Sequence, residues 1–135
     1  MAYRIIEIEG VGEAYAHKLE EAGIKTTENL LEAAATPAGR KNLADLTGIS
    51  GKLILKWANH ADLFRIHGVA GQFAELLEAA GVDTVKELRH RVAANLQPRL
   101  EEINEQKNLC NRVPSVTEVA RMIEQAKELE PVLTY

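Results

Sequence analysis

Basic side chains recur at helical spacing just after a short glycine-containing turn. The turn reads TGISG and ends at Gly51, and Lys52, Lys56 and His60 follow at intervals of four residues. Residues four apart lie on one face of a helix. The first backbone N–H groups of a helix have no partner within it and can bind an anion. The pattern therefore predicts a phosphate site at the start of a helix, with cations beside it.

The turn has the composition of a tight connection between two helices. Gly48 can adopt a backbone angle closed to other residues, Ile49 can plug the core beneath the turn, and Ser50 leaves the backbone open to a ligand. Arg40 and Lys41, on the preceding helix, complete the candidate site. The alternative is that the turn only joins two packed helices and that the basic residues form a solvated helix face.

Two related stretches indicate an internal repeat. IEGVGEAYAHKLEEAGI, residues 8–24, recurs 58 residues later as IHGVAGQFAELLEAAGV, residues 66–82. Ten first-copy residues have an identical counterpart: Ile8, Gly10, Val11, Ala16, Leu19, Glu20, Ala22, Gly23, Thr26 and Leu30. The chain reads as two copies of a four-helix unit, residues 1–63 and 64–135. Because each unit is too small to bury its apolar face alone, we expect them to pack into one compact domain.

Apolar residues recur at helical spacing and strand signals are nearly absent, so we predict an all-α protein. The eight predicted helices cover about 12–22, 27–35, 38–46, 51–64, 70–80, 85–94, 98–110 and 116–129. Thr84 with Glu87, and Ser115 with Glu118, fit the capping box at a helix start. Pro98 is predicted to open the seventh helix, and the second unit is expected to have a longer third helix than the first.

The segments GVGEAYAHKL and LTGISGKLILKW resemble the helix-hairpin-helix superfamily, whose pattern is glycine, apolar residue, glycine and then a helix. The stretch from GIKTTENLLEAAA to LADLTGISGKLILKWANHADL is similar to the C-terminal domain of the RNA polymerase alpha subunit. The whole chain resembles an uncharacterised bacterial family of paired helix-hairpin-helix units. The resemblance implies tandem helix-hairpin-helix motifs in both units. Since hairpin amides of the superfamily hold a nucleic-acid phosphate, it implies the same role for the backbone at residues 11–13 or 49–51.

Charge singles out the second of the hairpins. Gly10, Val11 and Gly12 form the first, which is a secondary candidate because the following Glu13 would repel phosphate. The third, HGVAG, has Ala70 in place of the second glycine, and the fourth, VPSV, contains a proline, which lacks a donor. We therefore expect weak binding of duplex DNA, without sequence preference, through the second hairpin.

A protein-interaction module is the alternative expectation. The chain has 16 basic and 20 acidic residues and a net charge of −4, which argues against binding nucleic acid by bulk charge. Leu76 and Ala79 stand where the first copy has Lys18 and Glu21. The second-copy helix is therefore apolar around more of its circumference. We expect the other unit or a partner protein to cover this face, which makes Leu76 and Ala79 a candidate protein interface.

Other chemistry is not indicated. GISGK lacks the glycine five residues before Gly51 that a P-loop requires. The four histidines and Cys110 show no metal-ligand spacing. We expect no enzymatic activity, no cofactor, no metal and no small-molecule substrate. The single cysteine cannot form an intramolecular disulfide, no signal peptide is visible, and no apolar stretch reaches the roughly 20 residues that span a bilayer. These features predict a cytoplasmic protein that is not bound to a membrane.

Overall fold

The structure, a computed structural model, describes residues 3–69 and 71–135. These residues form a short 3-10 helix and eight α-helices, and none of them lies in a β-strand. The prediction of an all-α protein is confirmed. The 3-10 helix spans Ile5–Glu7, and the α-helices are α1 Gly12–Glu21, α2 Thr27–Ala33, α3 Pro37–Thr47, α4 Gly51–Leu63, α5 Gly71–Ala79, α6 Val85–Leu88, α7 Ala93–Lys107 and α8 Val116–Glu128. Ala70, the predicted start of α5, lies outside the described residues.

The predicted helix caps are present, with one change. The hydroxyl of Ser115 accepts a hydrogen bond from the backbone N–H of Glu118, and the Glu118 carboxylate accepts one from the N–H of Ser115, so this capping box is confirmed. Thr84 caps α6 through the backbone N–H of Glu87. The Glu87 carboxylate, however, accepts hydrogen bonds from Arg91. The Arg91 guanidinium, one helical turn after Glu87, binds the Glu87 carboxylate in place of the Thr84 N–H. Of this capping box, only the hydrogen bond to the Thr84 hydroxyl is formed.

The boundaries around Pro98 differ from those predicted. α7 begins at Ala93, so Pro98 is its sixth residue and does not open it, and α6 has only four residues. Proline inside a helix leaves the carbonyl four residues earlier, that of Ala94, without its usual donor. Both Ala94 and Pro98 are exposed, so water can reach that carbonyl. The third helix of the second unit is the longer one, as predicted, with 15 residues in α7 against 11 in α3.

One cluster of buried apolar side chains runs through both predicted units. The side chains predicted to plug the hairpins are buried, with exposed fractions of 2% for Val11, 3% for Ile49 and 0% for Val69. Trp57 is 1% exposed and packs edge-on against Tyr15, at 5.1 Å between ring centroids, so its indole belongs to the core. The hairpin residues thus tie each turn to the helices beneath it.

Backbone geometry recurs at the spacing of the sequence repeat. Gly10 and Gly68 have φ angles of 89° and 94°, and Gly23 and Gly81 have 88° and 87°. Two hydrogen bonds recur 58 residues apart: Val11 N–H to the Ile8 carbonyl (3.2 Å) with Val69 to Ile66 (3.1 Å), and Ile24 to Leu19 with Val82 to Leu77 (both 2.8 Å). The identical residues of the two stretches therefore build the same local turns.

A charged cap at the start of α8 makes one local feature depend on pH. Two hydrogen bonds of 2.8 Å from Arg112, together with one from the Ser115 N–H, lower the pKa of the Glu118 carboxyl to about 2. A pKa held below its ordinary value of 4.5 stabilises the folded state fully above pH 4.5, and this contribution is lost as the pH falls towards 2. We expect an NMR titration of Glu118 to have its midpoint near 2 and Arg112→Gln to move it towards 4.5. Equal midpoints in the two proteins would contradict this cap.

Candidate nucleic-acid interface

The second hairpin is a tight turn between α3 and α4. Gly48 ends α3 with a left-handed φ of 74°, and its N–H donates to the Ala44 carbonyl. The backbone N–H of Ile49 donates to the hydroxyl of Thr47 at 3.2 Å, while the Ile49 side chain enters the core. Ser50 caps α4 by accepting from the N–H of Leu53 at 3.2 Å. The buried Ile49 side chain thus anchors the turn to the core, and the Ser50 hydroxyl caps the helix that follows.

The backbone donors of this hairpin lie one residue later than predicted. The Ile49 N–H is already used, but the N–H groups of Ser50, Gly51 and Lys52 have no acceptor among the described residues. All three residues are exposed. They stand at the N-terminal end of a helix of 13 residues, where the aligned peptide dipoles favour negative charge. This end of α4 can therefore accept an anionic oxygen without moving a side chain.

Of the predicted cations, only two lie on the open surface. Lys52 is exposed and, within the described ranges, no carboxylate oxygen lies within ion-pair distance of its ammonium group. Lys41 is also exposed, and its Nζ lies 3.2 Å from an Oδ of Asp45. The predicted cations therefore contribute mainly the charge of Lys52, together with that of Lys41, which Asp45 of the same helix partly neutralises.

Arg40 is not available to a nucleic acid, which corrects the prediction. Its side chain is 8% exposed, and its guanidinium donates to the carbonyls of Ala34 at 3.0 Å and Thr134 at 2.7 Å. The planar guanidinium ties together two segments far apart in sequence. Arg40 is a structural residue of the core rim.

His60 and Lys56 also differ from the prediction. His60 is completely buried, and its Nε2 lies 3.0 Å from the Glu78 carboxylate of α5. Lys56 lies 3.6 Å from carboxylate oxygens of both Glu75 and Glu78. The hydrogen bond with His60 is the largest cause that lowers the pKa of Glu78, which keeps it ionised beside Lys56.

Helix geometry explains why the three basic residues separate. Each step of four residues turns about 40° around a helix axis. His60 therefore lies about 80° away from Lys52, on the side of α4 that α5 covers. The three residues predicted to form one basic helix face therefore differ in their surroundings: Lys52 is exposed, Lys56 is paired with carboxylates and His60 is buried.

The first hairpin has the predicted glycines, and the acidic side chain of Glu13 follows them, as predicted. Gly10 and Gly12 have φ angles of 89° and 69°, and the Val11 N–H donates to the Ile8 carbonyl, so it is not free for a phosphate. Glu13 is exposed in the first turn of α1. Its carboxylate satisfies the positive helix end and repels anions, which leaves the second hairpin as the better candidate.

The predicted protein interface at Leu76 is wrong. Leu76 is completely buried within the single chain, and Ala79 is partly buried against the same core. Cover for the apolar side of α5 comes from within this chain, so no partner protein is needed to bury Leu76. A partner could reach Leu76 only if the chain unfolded locally.

The structure adds two residues that sequence reasoning missed at the second hairpin. Lys18 and Leu46 line a surface groove of about 370 Å³ with Glu21, Ala22 and Thr47, directly beside the turn. Leu46 has an exposed fraction of 71%. No sequence pattern links the end of α1 to the end of α3, because their proximity results from tertiary packing.

In residues 3–69 and 71–135, no group of three or more histidine, cysteine, aspartate or glutamate side chains is arranged to hold a metal ion. None of the helices in these ranges has both the length and the apolar character needed to cross a membrane.

The architecture is that of a small all-α domain whose candidate site is a helix N-terminus at a glycine turn. The chain belongs to the family described as a domain of unknown function (DUF4332), which matches residues 9–129. No curated protein and no solved structure matches the chain.

Proposed function

We propose that the chain is a non-enzymatic helix-hairpin-helix module built from two packed copies of a four-helix unit. Support comes from the backbone geometry that recurs 58 residues apart, with matching left-handed glycines and matching hydrogen bonds. Further support comes from the buried apolar residue beneath each of three hairpins, Val11, Ile49 and Val69.

We propose that this module binds the phosphate backbone of duplex DNA, weakly and without sequence preference, through the second hairpin. The observation that carries the proposal is the set of three exposed N–H groups, from Ser50 to Lys52, at the start of α4. Unpaired Lys52 adds positive charge at the same point. Phosphate is the common ligand of such a helix end, since its oxygens accept from several N–H groups at once.

The number of contacts should be small. With Arg40 and His60 buried and Lys56 paired, Lys52 and Lys41 are the predicted cations that remain to neutralise phosphates, and Lys18, beside the turn, shares its groove with Glu21. We expect a dissociation constant at the weak end of the non-specific range of about 10⁻⁴–10⁻⁶ M. The logarithm of the binding constant should fall with the logarithm of the salt concentration, with a slope of roughly −1 to −2. Anisotropy of a labelled duplex at two salt concentrations measures both.

Gly51 offers a direct test of the backbone donors. It is the first residue of α4, where proline is well tolerated, and the preceding Ser50 has an extended backbone that proline permits. Gly51→Pro removes one free N–H, so we expect DNA binding to weaken on the order of tenfold or more, as for loss of a hydrogen bond to a charged group. Gly51→Ala keeps the N–H and its Cβ meets no atom within 4 Å, so it should bind like the parent. Equal binding by the two variants would overturn the phosphate role.

Lys52→Glu tests the charge contribution. We expect it to abolish measurable binding at moderate salt, because the new carboxylate faces the phosphate site. Lys86→Glu makes the same charge change at an exposed position of α6 and should leave binding near that of the parent. If both variants lose binding equally, only net charge matters and the hairpin is not the site.

A second candidate function, a protein-interaction module without nucleic-acid binding, is favoured by Leu46. An exposed leucine beside a groove on a surface of mixed charge suits a protein partner better than a phosphate backbone. This candidate predicts that Leu46→Asp removes a stoichiometric partner protein while Gly51→Pro does not.

A further inference from the structure

A cavity of about 280 Å³ lies beside the C-terminal end of α4. Its apolar lining consists of Leu31 of α2, Ala61 of α4 and the aromatic side chains of Tyr3 and Phe64. Sites for small molecules in proteins have this character, a mostly apolar surface with a few polar groups placed in it, and those for drug-sized ligands measure about 300–1,000 Å³. The cavity therefore suits a ligand with a small apolar body.

Hydrogen bonds within the chain fix two sides of the cavity. The Tyr3 carbonyl accepts from the backbone N–H of Thr27 at 2.8 Å, which holds the N-terminal segment on α2. Arg65, on the other side, donates to the carboxylate of Asp62 and to the carbonyl of Glu130, both at 2.7 Å. The cavity is therefore formed before any ligand arrives, and binding does not have to order its walls.

The unpaired carboxylate at the cavity is that of Glu28. It lies at an exposed position of α2 and has no hydrogen-bond or ion-pair partner in residues 3–69 and 71–135. Arg65 also lines the cavity, but its charge is offset by the Asp62 carboxylate. His67 completes the polar lining, and histidine is largely uncharged at pH 8. The cavity thus favours a positively charged ligand over an anion.

The two aromatic side chains favour the same kind of ligand. The ring centroids of Tyr3 and Phe64 lie 5.0 Å apart and the ring planes meet at 69°, an edge-to-face pair. In such a pair one ring turns its edge to the other, so its own faces are left for other neighbours. The face of an aromatic ring attracts ammonium groups. A carboxylate and aromatic rings around one cavity therefore both select a cation with an apolar body.

We infer that this cavity binds a small organic ammonium ion, with the ammonium group at Glu28 and the hydrocarbon part against Leu31 and Ala61. The fixed walls, the unpaired carboxylate and the apolar lining each supply one requirement of such a ligand. The site lies apart from the second hairpin, since none of its lining residues belongs to the range 48–52. It is therefore independent of the DNA binding proposed above.

The test is an NMR titration of the full chain, labelled at its alanine and leucine methyl groups, with n-butylammonium at pH 8. We expect saturable shifts of the Leu31 and Ala61 methyl signals, with a dissociation constant of about 1 mM. Butanol and butyrate have the same hydrocarbon chain without the positive charge, and they should bind at least about tenfold more weakly. No saturable shift of either methyl signal overturns the site. Butanol binding as tightly as butylammonium overturns the cation as its ligand.

Two matched pairs of variants place the ligand in the cavity. Glu28→Gln should weaken butylammonium binding about tenfold, whereas Glu32→Gln, the same change at an exposed position of α2 that does not line the cavity, should bind like the parent. Equal weakening by the two means that only surface charge matters, which overturns the contact with Glu28. Tyr3→Phe keeps the ring and should bind like the parent, while Tyr3→Leu should bind about threefold more weakly. Equal binding by these two overturns the aromatic contact, and the Glu28 pair decides the site if Tyr3→Leu fails to fold by circular dichroism.

Discussion

Ile49→Asp lowers the free energy of unfolding by about 3–5 kcal/mol, the largest loss that we expect from a single change at the second hairpin. The side chain is 3% exposed and sits directly under the left-handed turn at Gly48. A carboxylate there would be buried without a partner, and the methylene groups that fill the space would be gone. Urea unfolding, followed by the fluorescence of buried Trp57, measures the loss.

The matched control is Leu46→Asp, three residues earlier in the same connection. Leu46 is 71% exposed, so the same charge remains in water and stability should change by no more than about 0.5 kcal/mol. Val11→Asp and Val69→Asp should behave like Ile49→Asp, because both side chains are equally buried. A loss below about 1 kcal/mol at Ile49 would mean that the turn is not anchored by its apolar plug.

Asp62→Ala is expected to cost about 3–5 kcal/mol, the range for breaking a buried charged network. The Asp62 carboxylate is nearly buried, and it accepts from Arg65 at 2.7 Å and from the backbone N–H of Val85 at 2.8 Å. Since Val85 is the first residue of α6, one carboxylate at the end of the first predicted unit both neutralises Arg65 and holds a helix of the second. Thermal and urea unfolding of the variant should show the loss at neutral pH.

Asp45→Ala provides the comparison for Asp62. Asp45 is exposed and, in the part of the chain that the structure describes, its one ion-pair partner is Lys41 on its own helix, so its removal should change stability by less than about 1 kcal/mol. If Asp62→Ala proved equally mild, water or Arg65 alone would satisfy the groups around it, and the network would not join the two units.

Charge pairing limits the positive charge available for the DNA binding that we propose at the second hairpin. Glu75 and Glu78 of α5 hold Lys56, and Glu78 also meets His60. A Lys56→Glu variant would therefore place three carboxylates together and disturb the fold as well as any binding. Lys52→Glu and Gly51→Pro are the cleaner probes, because Lys52 has no ion-pair partner among the described residues and a Cβ added at Gly51 meets no atom within 4 Å.

The sequence by itself determined the features that depend on near neighbours in the chain. Helix periodicity predicted the all-α fold, and local chemistry predicted the cap at Ser115 and the buried plug at Ile49. The helices and the cap follow from contacts within about one helical turn, where residue type and spacing suffice. The plug follows from an apolar residue type at the inner position of a tight turn. The start of α7 is the exception, because a proline is tolerated inside a helix when water reaches the unpaired carbonyl.

Only the tertiary structure decided which polar residues remain on the surface. Arg40 and His60 read as surface cations because their types are usually exposed, yet distant segments supply their partners, the Thr134 carbonyl and Glu78. Leu76 read as an uncovered apolar residue, and the chain's own core covers it. Burial depends on which helices meet, and that depends on the packing of all of them together. A single sequence can therefore specify the hairpin at Gly48 without specifying the charge that surrounds it.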